Sequence, residues 1–342
     1  MRGGPVQRRV TVADIAAEAG VSVATVSKVL NGRPDVAART RARVEEILVG
    51  REYVRVARRR GEVARGGLIE MLFNDAGSPW AAEMIRGGEA AARAAGMGIV
   101  VSVLGAGPGR VREWLAAVGG RGVRGVVLAL PDFAAVDQAR LRRLELPAVL
   151  VDPVGDFDAE VPSIGAGNWG GGLAGTRHLL ELGHRRIGVI TGPMRYLCSQ
   201  ARLAGYRAAL ERAGSAFDPG LVVHGEFHHA AGLAAGLELL ARADPPTAVV
   251  AANDEQAAGV YAAARQRDLR IPDDLSVVGF DDVPMARWIH PALTTVRQPI
   301  GELAALAVRS LVARLAGGEA QPGRIELPTG LVVRYSTAPP AP

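Results

Sequence analysis

Lys28 is the sole lysine among the chain's 40 basic residues. It closes the stretch Ser22-Val23-Ala24-Thr25-Val26-Ser27-Lys28, which has the spacing of a short helix with Val26, Val29 and Leu30 turned inward. The opposite face then carries Val23, Ala24, Thr25, Ser27 and Lys28, all slim, hydroxyl-bearing or cationic. A helix that enters a groove about 12 Å wide needs a face of that kind. Other reactive types follow short apolar runs later in the chain. Asn253-Asp254 comes after Val249–Ala252, and a carboxylate at a strand end can accept two hydroxyl hydrogens from a sugar; Asp254 can equally cap the helix that follows. Arg202, after the loop Gly192–Gln200, offers forked donors to ligand oxygens, or is a surface helix arginine. Asp152 and Asp281 close two further apolar runs.

Aromatic residues make up only 4% of the chain, so the placement of each one carries information. Trp80 follows Ser78-Pro79 after the first predicted strand, and Phe227 follows the short run Leu221–Val223. In such loops the two rings can stack on a pyranose face; core packing is the alternative. Three other signals are declined. Gly165-Ala166-Gly167-Asn168-Trp169-Gly170 matches a dinucleotide fingerprint, but the following strand, Arg186–Thr191, closes on no acid. His224, His228 and His229 have no Cys or carboxylate at metal-site spacing, so no metal and no cofactor are expected. No nucleophile elbow, P-loop or HExxH occurs, and no catalytic residue is nominated.

Around these residues the elements can be read from pattern. Thr11 is placed to cap a helix over Val12–Ala19 with Ile15, Ala16 and Ala19 as its apolar stripe, and Gly20 ends it. Ser22 caps the second helix, Asn31-Gly32-Arg33-Pro34 breaks it, and Thr40 starts a third with Val44, Ile47 and Leu48 inside. Residues 1–65 carry a net charge of +7 and the remainder −2, the footprint of a polyanion-binding head on a near-neutral body. From Gly67 on, apolar runs alternate with helical patterns. The runs are Leu68–Phe73, Ile99–Val103, Val126–Leu130, Ala148–Val151, Ile187–Ile190, Ala248–Ala251 and Val277–Phe280; the helices include Ala81–Ala95, Leu173–Leu182, Ala204–Ala213 and Ala230–Ala241. That alternation predicts parallel sheets covered on both faces, split into two lobes by the polar stretch Asp152–Glu160. With 342 residues, two or three domains are expected. No apolar run reaches a membrane span, Met1–Val10 is followed by no secretory h-region, and Cys198 is the only cysteine, so a cytoplasmic protein is expected.

The motifs Thr11-Val12-Ala13-Asp14-Ile15-Ala16, Ala19-Gly20-Val21-Ser22, Thr25-Val26-Ser27-Lys28-Val29-Leu30-Asn31-Gly32 and Thr40-Arg41 resemble the DNA-binding head of the lactose/galactose repressor (LacI/GalR) family. The likeness continues through Leu182-Gly183-His184-Arg185-Arg186-Ile187, Arg202–Tyr206, Ala252-Asn253-Asp254, Val278-Gly279-Phe280-Asp281-Asp282 and Leu293–Pro299, from about Val10 to about Ser336. It implies an all-α helix-turn-helix head and an α/β two-lobed effector domain resembling a type I periplasmic binding protein. Val23, Ala24 and Lys28 would reach base edges, and Ser22, Thr25, Ser27, Asn31 and Thr40 would hold phosphates. Lys28 stands where Arg is commoner, giving a point-charge contact for a bidentate one, and Ala37 stands where the family usually has Ser. Cys198 takes a position where relatives often carry Ser or Thr, as a small weak donor in the cleft. With it, Trp80, Asp152, Arg202, Phe227, Asn253, Asp254 and Asp281 form the expected effector site.

The linker departs from the family. After Tyr53 come Val54-Arg55-Val56-Ala57-Arg58-Arg59-Arg60-Gly61, without Pro-Asn, and Glu62 occupies the place of the leucine that wedges into the minor groove. Arg58, Arg59 and Arg60 can enter a narrow minor groove instead, or act as a basic linker adding nonspecific affinity. The expected division is a head over 1–52, a linker over 53–66 and a body over 67–342. Its N-lobe would comprise about 67–160 and 293–322, its C-lobe about 161–292 and 323–338, with the return between lobes near His290–Gln298. The resemblance further implies a homodimer on a near-palindromic operator, with Ile85–Ala95 and Asp281–Pro291 meeting the partner. Ser336–Pro342 is Pro-rich and without heptads, so no tetramerisation tail is expected. The function expected is a cytoplasmic, nucleoid-associated repressor of carbohydrate-utilisation genes, controlled by a sugar between the lobes. The alternatives are a purine- or nucleoside-responsive regulator of the same fold and a sugar-modifying enzyme; a periplasmic solute-binding protein is disfavoured by the basic head.

Overall fold

A computed structural model describes residues 12–30, 33, 35–51, 66–105, 109–129, 135–153, 161–318 and 323–341. The chain divides into two units, Met1–Gly61 and Glu62–Pro342. Among the described residues the first holds three helices, α1 (Val12–Ala19), α2 (Val23–Leu30) and α3 (Ala38–Gly50). Gly20, at φ +67°, makes the turn between α1 and α2, a conformation that costs glycine nothing. The Ser22 hydroxyl then accepts the Thr25 N–H at 3.1 Å and caps α2. Ile15, Ala16, Ala19, Val26, Val29 and Val44 close the small core. α3 begins at Ala38, two residues ahead of the expected Thr40. The cap expected at Thr11 and the inward Leu30 side chain lie outside the described residues.

In the second unit the order is β1 (Leu68–Phe73), α4 (Pro79–Ala94), β2 (Gly98–Val103), α5 (Arg110–Val118), β3 (Val123–Ala129), α6 (Ala135–Arg143), β4 (Ala148–Val151) and β5 (Ser163–Ala166). The chain continues with α7 (Asn168–Glu181), β6 (Ile187–Thr191), α8 (Leu197–Arg212), β7 (Val222–His224), α9 (His229–Leu240), β8 (Ala248–Ala251) and α10 (Asp254–Gln266). It closes with β9 (Ser276–Asp281), α11 (Met285–Trp288), β10 (Thr294–Arg297), α12 (Ile300–Leu315), β11 (Arg324–Leu327) and β12 (Gly330–Val332). Among the described residues no helix is long and apolar enough to cross a membrane.

The strands form two sheets of the same design, ordered β2-β1-β3-β4-β5-β11 and β7-β6-β8-β9-β10-β12. Every pairing is parallel except β10 with β12. Helices cover both faces, which is why β3 from Gly125 on, β4, β6 up to Ile190 and β8 read as unbroken apolar runs. In this doubly wound order the direction of winding reverses between β1 and β3 and again between β6 and β8. Crevices at the carboxyl ends of strands form at such reversals.

The lobe boundaries differ from those expected. β5 pairs with β4, and β11 with β5, so both belong to the first lobe, whereas 161–166 and 323–327 are expected in the second. β10 pairs with β9 and belongs to the second lobe, whereas 293–297 is expected in the first. The chain therefore crosses at Gly167, again at Gln298-Pro299 and a third time at Pro328-Thr329. The physical reason lies in the strands themselves. Ser-Ile-Gly-Ala is too small and too short for the hydrophobic pattern of a central strand, and Arg-Ile-Glu-Leu alternates because β11 is a half-exposed edge. The expected Val126–Leu130 strand runs over Val123–Ala129, with Leu130 outside the described residues.

Candidate nucleic-acid interface and interlobe cleft

On α2 the side chains divide as the sequence suggests. Val26 and Val29 are buried, Thr25 is half-buried, and Ser22, Val23, Ala24, Ser27 and Lys28 are exposed. Val23 is 52% exposed, which suits a side chain kept for an external surface. Ser22 Oγ also shares a hydrogen bond with Thr25 Oγ1 at 2.9 Å, fixing both hydroxyls at the amino end of the helix. That end presents unpaired N–H groups and positive potential, both matched to a phosphate. Lys28 Nζ lies 2.8 Å from Asp35 Oδ2, and this contact holds the Asp35 carboxyl below its ordinary value. Both partners are exposed, so the pair is easily exchanged for a stronger acceptor. Thr40 is half-buried on α3. Asn31, Arg58, Arg59 and Arg60 lie outside the described residues.

In the second unit the carboxyl ends of both sheets open on one cleft. Its walls are Ser78, Trp80, Asp152, Cys198, Arg202, Phe227, Asn253, Glu255, Asp281 and Gln298. Seven of the eight expected residues thus meet, from five strand–helix connections and the β4–β5 connection. Ser78 caps α4, with Pro79 at its first position, and so directs Trp80 into the opening. Trp80 packs edge-on against Phe73, and Phe227 stacks on Tyr196 at 6.0 Å. Tyr196 in turn accepts a hydrogen bond from Asn74 Nδ2 at 3.2 Å, a contact from one lobe to the other.

Arg202 is 8% exposed and held from several sides. Its Nε donates to Asn168 Oδ1 at 2.8 Å, its Nη1 donates to the Ala252 carbonyl, and its guanidinium lies 3.7 Å from the Phe280 ring centre. Asp281 faces it at 3.9 Å and accepts from Gln298 Nε2 at 2.5 Å. Burial pushes the Asp281 carboxyl up to about 7 against the pull of Arg202, and raises Asp152 as well. Asp152 and Asp281 have positive φ, +44° and +111°, a strained backbone for residues with a side chain. Strain of this kind persists where a fixed geometry is needed. Two acceptors on the walls, Asp152 Oδ1 and Gln298 Oε1, are buried without a hydrogen bond, a condition that costs free energy until a donor arrives. Cys198 is a neutral thiol, because burial raises it to about 11.

The sequence bears known relationships that agree with this geometry. Residues 11–55 match the model for bacterial regulatory proteins of the lacI family, and residues 176–337 match a periplasmic binding protein-like domain. The ribose operon repressor of Escherichia coli (strain K12) is 33% identical over 328 residues, spanning 95% of this chain and 99% of its own. The chain belongs to the lacI family. Among solved structures, a complex of the transcriptional regulator CelR with cellobiose superposes with a TM-score of 0.74 at 32% identity, covering 96% of this chain and 100% of that one. The lac repressor dimer bound to operator and the anti-inducer ONPF superposes at 0.80 and 27% identity, over 97% and 100%. As a lacI-family protein the chain is a DNA-binding transcriptional regulator and not an enzyme.

Within this regulator Asp254 does not join the cleft. It is fully buried at the start of α10, where Oδ1 accepts from the Thr295 hydroxyl at 2.5 Å and Oδ2 from the Val283 N–H at 2.9 Å. Oδ2 braces the loop after Asp281 and Asp282 and Oδ1 ties it to β10, so the reading of Asp254 as a ligand carboxylate is corrected. Nor is it the cap: Asn253 Oδ1 accepts the Gln256 N–H at 2.8 Å, and Asn253 Nδ2 donates to the Phe227 carbonyl. Ser78, Glu255 and Gln298 are lining residues that were not nominated. Gln298 follows β10 as Asp281 closes β9, so the strand-end rule would have found it once β10 was recognised.

The declined signals also have places. Gly165 sits where a Cβ would come 2.8 Å from Asp152 Oδ1, and the glycine-rich stretch carries the first crossing between lobes. His224 Nδ1 shares a hydrogen bond with Thr191, and His228 Nδ1 accepts the Ala231 N–H. Among the described residues no three His, Cys, Asp or Glu side chains are grouped to hold a metal.

Proposed function

We propose that this lacI-family regulator is a cytoplasmic, nucleoid-bound repressor of carbohydrate-utilisation genes that holds its operator as a homodimer and responds to a sugar in the interlobe cleft. The observation that carries the reading is the cleft itself. Asp152 Oδ1 and Gln298 Oε1 lack donors, and Trp80 and Phe227 stand beside them. A sugar supplies hydroxyl hydrogens to the acceptors and apolar ring faces to the aromatics. Two relatives support the class: one is named a ribose operon repressor and one is a regulator complexed with cellobiose.

At the head, Val23, Ala24 and Lys28 read base edges, while Ser22, Thr25, Ser27, Asn31 and Thr40 hold phosphates. Arg58, Arg59 and Arg60 follow the backbone into the minor groove. One head makes few base contacts, so two are brought into register by a two-fold dimer on a near-palindromic site. The sugar acts by preferring one relation of the lobes, and it can shift operator affinity only by its differential affinity for the two states. Trp80 at the start of α4, on one lobe, and Arg202 with Phe227, on the other, are drawn together by a common ligand.

Binding of the purified chain to palindromes near its own gene tests this, with and without sugars and with purine nucleosides as the rival arm. A sugar at 100 times its Kd is expected to stabilise the fold by roughly 2.7 kcal/mol and to change operator affinity. Lys28→Ala is expected to lose about 1–3 kcal/mol on the operator and little on random DNA. Stabilisation by purines alone, or equal losses on both DNAs, overturns the assignment.

A further inference from the structure

The cleft walls carry three carboxyl groups, Asp152, Glu255 and Asp281, against one guanidinium, Arg202. Arg202 is already engaged by Asn168, the Ala252 carbonyl, Asp281 and the Phe280 ring. Arg324 offsets part of the charge at Asp152, whereas Asp75 adds negative potential at Glu255. The unpartnered buried atoms on the walls are both acceptors. They call for donors, and an anionic group brings none.

Helix amino ends oppose this trend, since they ordinarily draw anions. The amino ends of α4, α8 and α10 reach the cleft through Ser78, Cys198, Asn253 and Glu255. At α10, however, the favourable place is taken by Glu255 in the first turn. Burial, then Asp281 and Asp75, raise the Glu255 carboxyl to about 7, so one negative charge is costly there already and a second is more so. A phosphate monoester carries a charge of about −1.5 to −2 at neutral pH.

We propose that the cleft admits uncharged or cationic hydroxyl-rich molecules and rejects their phosphate monoesters, with Glu255 as the residue that discriminates. This rests on the effector reading of the cleft and narrows it. The regulator then senses a free sugar ahead of any phosphorylating step.

The test is titration calorimetry of the full chain at pH 8 with ribose, glucose and cellobiose, each against its own phosphate monoester. Whichever free sugar binds is expected to lose at least tenfold in affinity when phosphorylated. Glu255→Gln is expected to narrow that ratio at least fivefold, whatever it does to the free sugar, and Glu255→Asp to retain it. A monoester that binds as tightly as its parent, or a ratio unchanged in Glu255→Gln, overturns the proposal. If such a monoester also releases operator DNA, the effector reading survives and the charge rule alone falls. If none of the six compounds binds, both fall together.

Discussion

Asp281 is held by demands that pull against one another: a left-handed backbone, burial, a guanidinium at 3.9 Å and an amide donor at 2.5 Å. Burial prevails, and the carboxyl stands at about 7, far above its ordinary 3.8; Glu255 rises likewise from 4.5 to about 7. In the folded chain both therefore keep protons at pH values where the unfolded chain has lost them. By linkage their contribution to stability is full below the unfolded values and declines as pH rises through about 7. The melting temperature of the wild type is expected to fall between about pH 5 and 7 more steeply than that of Asp281→Asn with Glu255→Gln, as read by calorimetric scans across that range. Parallel curves would dissociate these groups from the titration. A sugar whose hydroxyls donate to the Asp281 carboxylate is expected to release protons on binding near pH 6.5, seen as a dependence of binding heat on buffer ionisation enthalpy. Asp254 illustrates what residue type leaves open. Its sequence position matched the ligand acids, but its direction was decided by Thr295 and Val283, which lie 41 and 29 residues away.

The helices meet through glycine. A Cβ at Gly205 of α8 would lie 2.1 Å from the Trp169 carbonyl oxygen of α7, and one at Gly172 would lie 2.3 Å from the Arg202 carbonyl oxygen. The same contact recurs between α9 and α10 at Gly232 and Gly259, and between α4 and α12 at Gly87. Backbones this close leave no room for a methyl group, so Gly205→Ala must part α7 from α8. These two helices carry Asn168 and Arg202, whose hydrogen bond sets the guanidinium. Gly205→Ala is expected to cost about 1–3 kcal/mol and to blunt the sugar response. Gly170→Ala, on the facing helix α7 with open space around it, is expected to be neutral or stabilising by up to about 1 kcal/mol. Denaturant melts compare them, and equal effects would refute the close-approach account. The central strands were legible because burial on both faces leaves unbroken Val, Leu and Ile runs. β5, β10, β11 and β12 were not, being short, polar or at an edge. The helices α7 and α8 begin five and seven residues before their predicted starts, because their first turns, Asn168-Trp169-Gly170 and Leu197-Cys198-Ser199, face the crossing and the cleft and lack an apolar stripe.

At the scale of the whole molecule, a basic head, a two-lobed body and most of the cleft could be read from residues alone. Charge asymmetry and strand-end polarity survive any detail of packing. The lobe borders could not, because which sheet a four-residue strand joins is decided by partners far along the chain. Assembly is the remaining question at this scale, and Trp288 bears on it. In a chain with 4% aromatics, this indole ends α11 at 78% exposure, within the segment Asp281–Pro291 that the family likeness assigns to the partner. The backbone beneath it is firm. Asp282, with its side chain enclosed and its φ at +56°, collects Arg297, Arg334 and the neighbouring Arg287, and Leu293 N–H bonds back to the Ala286 carbonyl. A rigidly presented, solvent-facing Trp has the character of an interface anchor, whose truncation typically removes about 2 kcal/mol or more of association energy. Trp288→Asp adds a charge that would be desolvated in the same contact. It is expected to weaken dimerisation at least tenfold in sedimentation equilibrium, and to lower operator affinity most at protein concentrations below the new dimer constant, where single heads predominate. Sugar binding to the monomer should persist, since the cleft lies within one chain. A sedimentation profile indistinguishable from the wild type at every concentration would place the two-fold contact on another face.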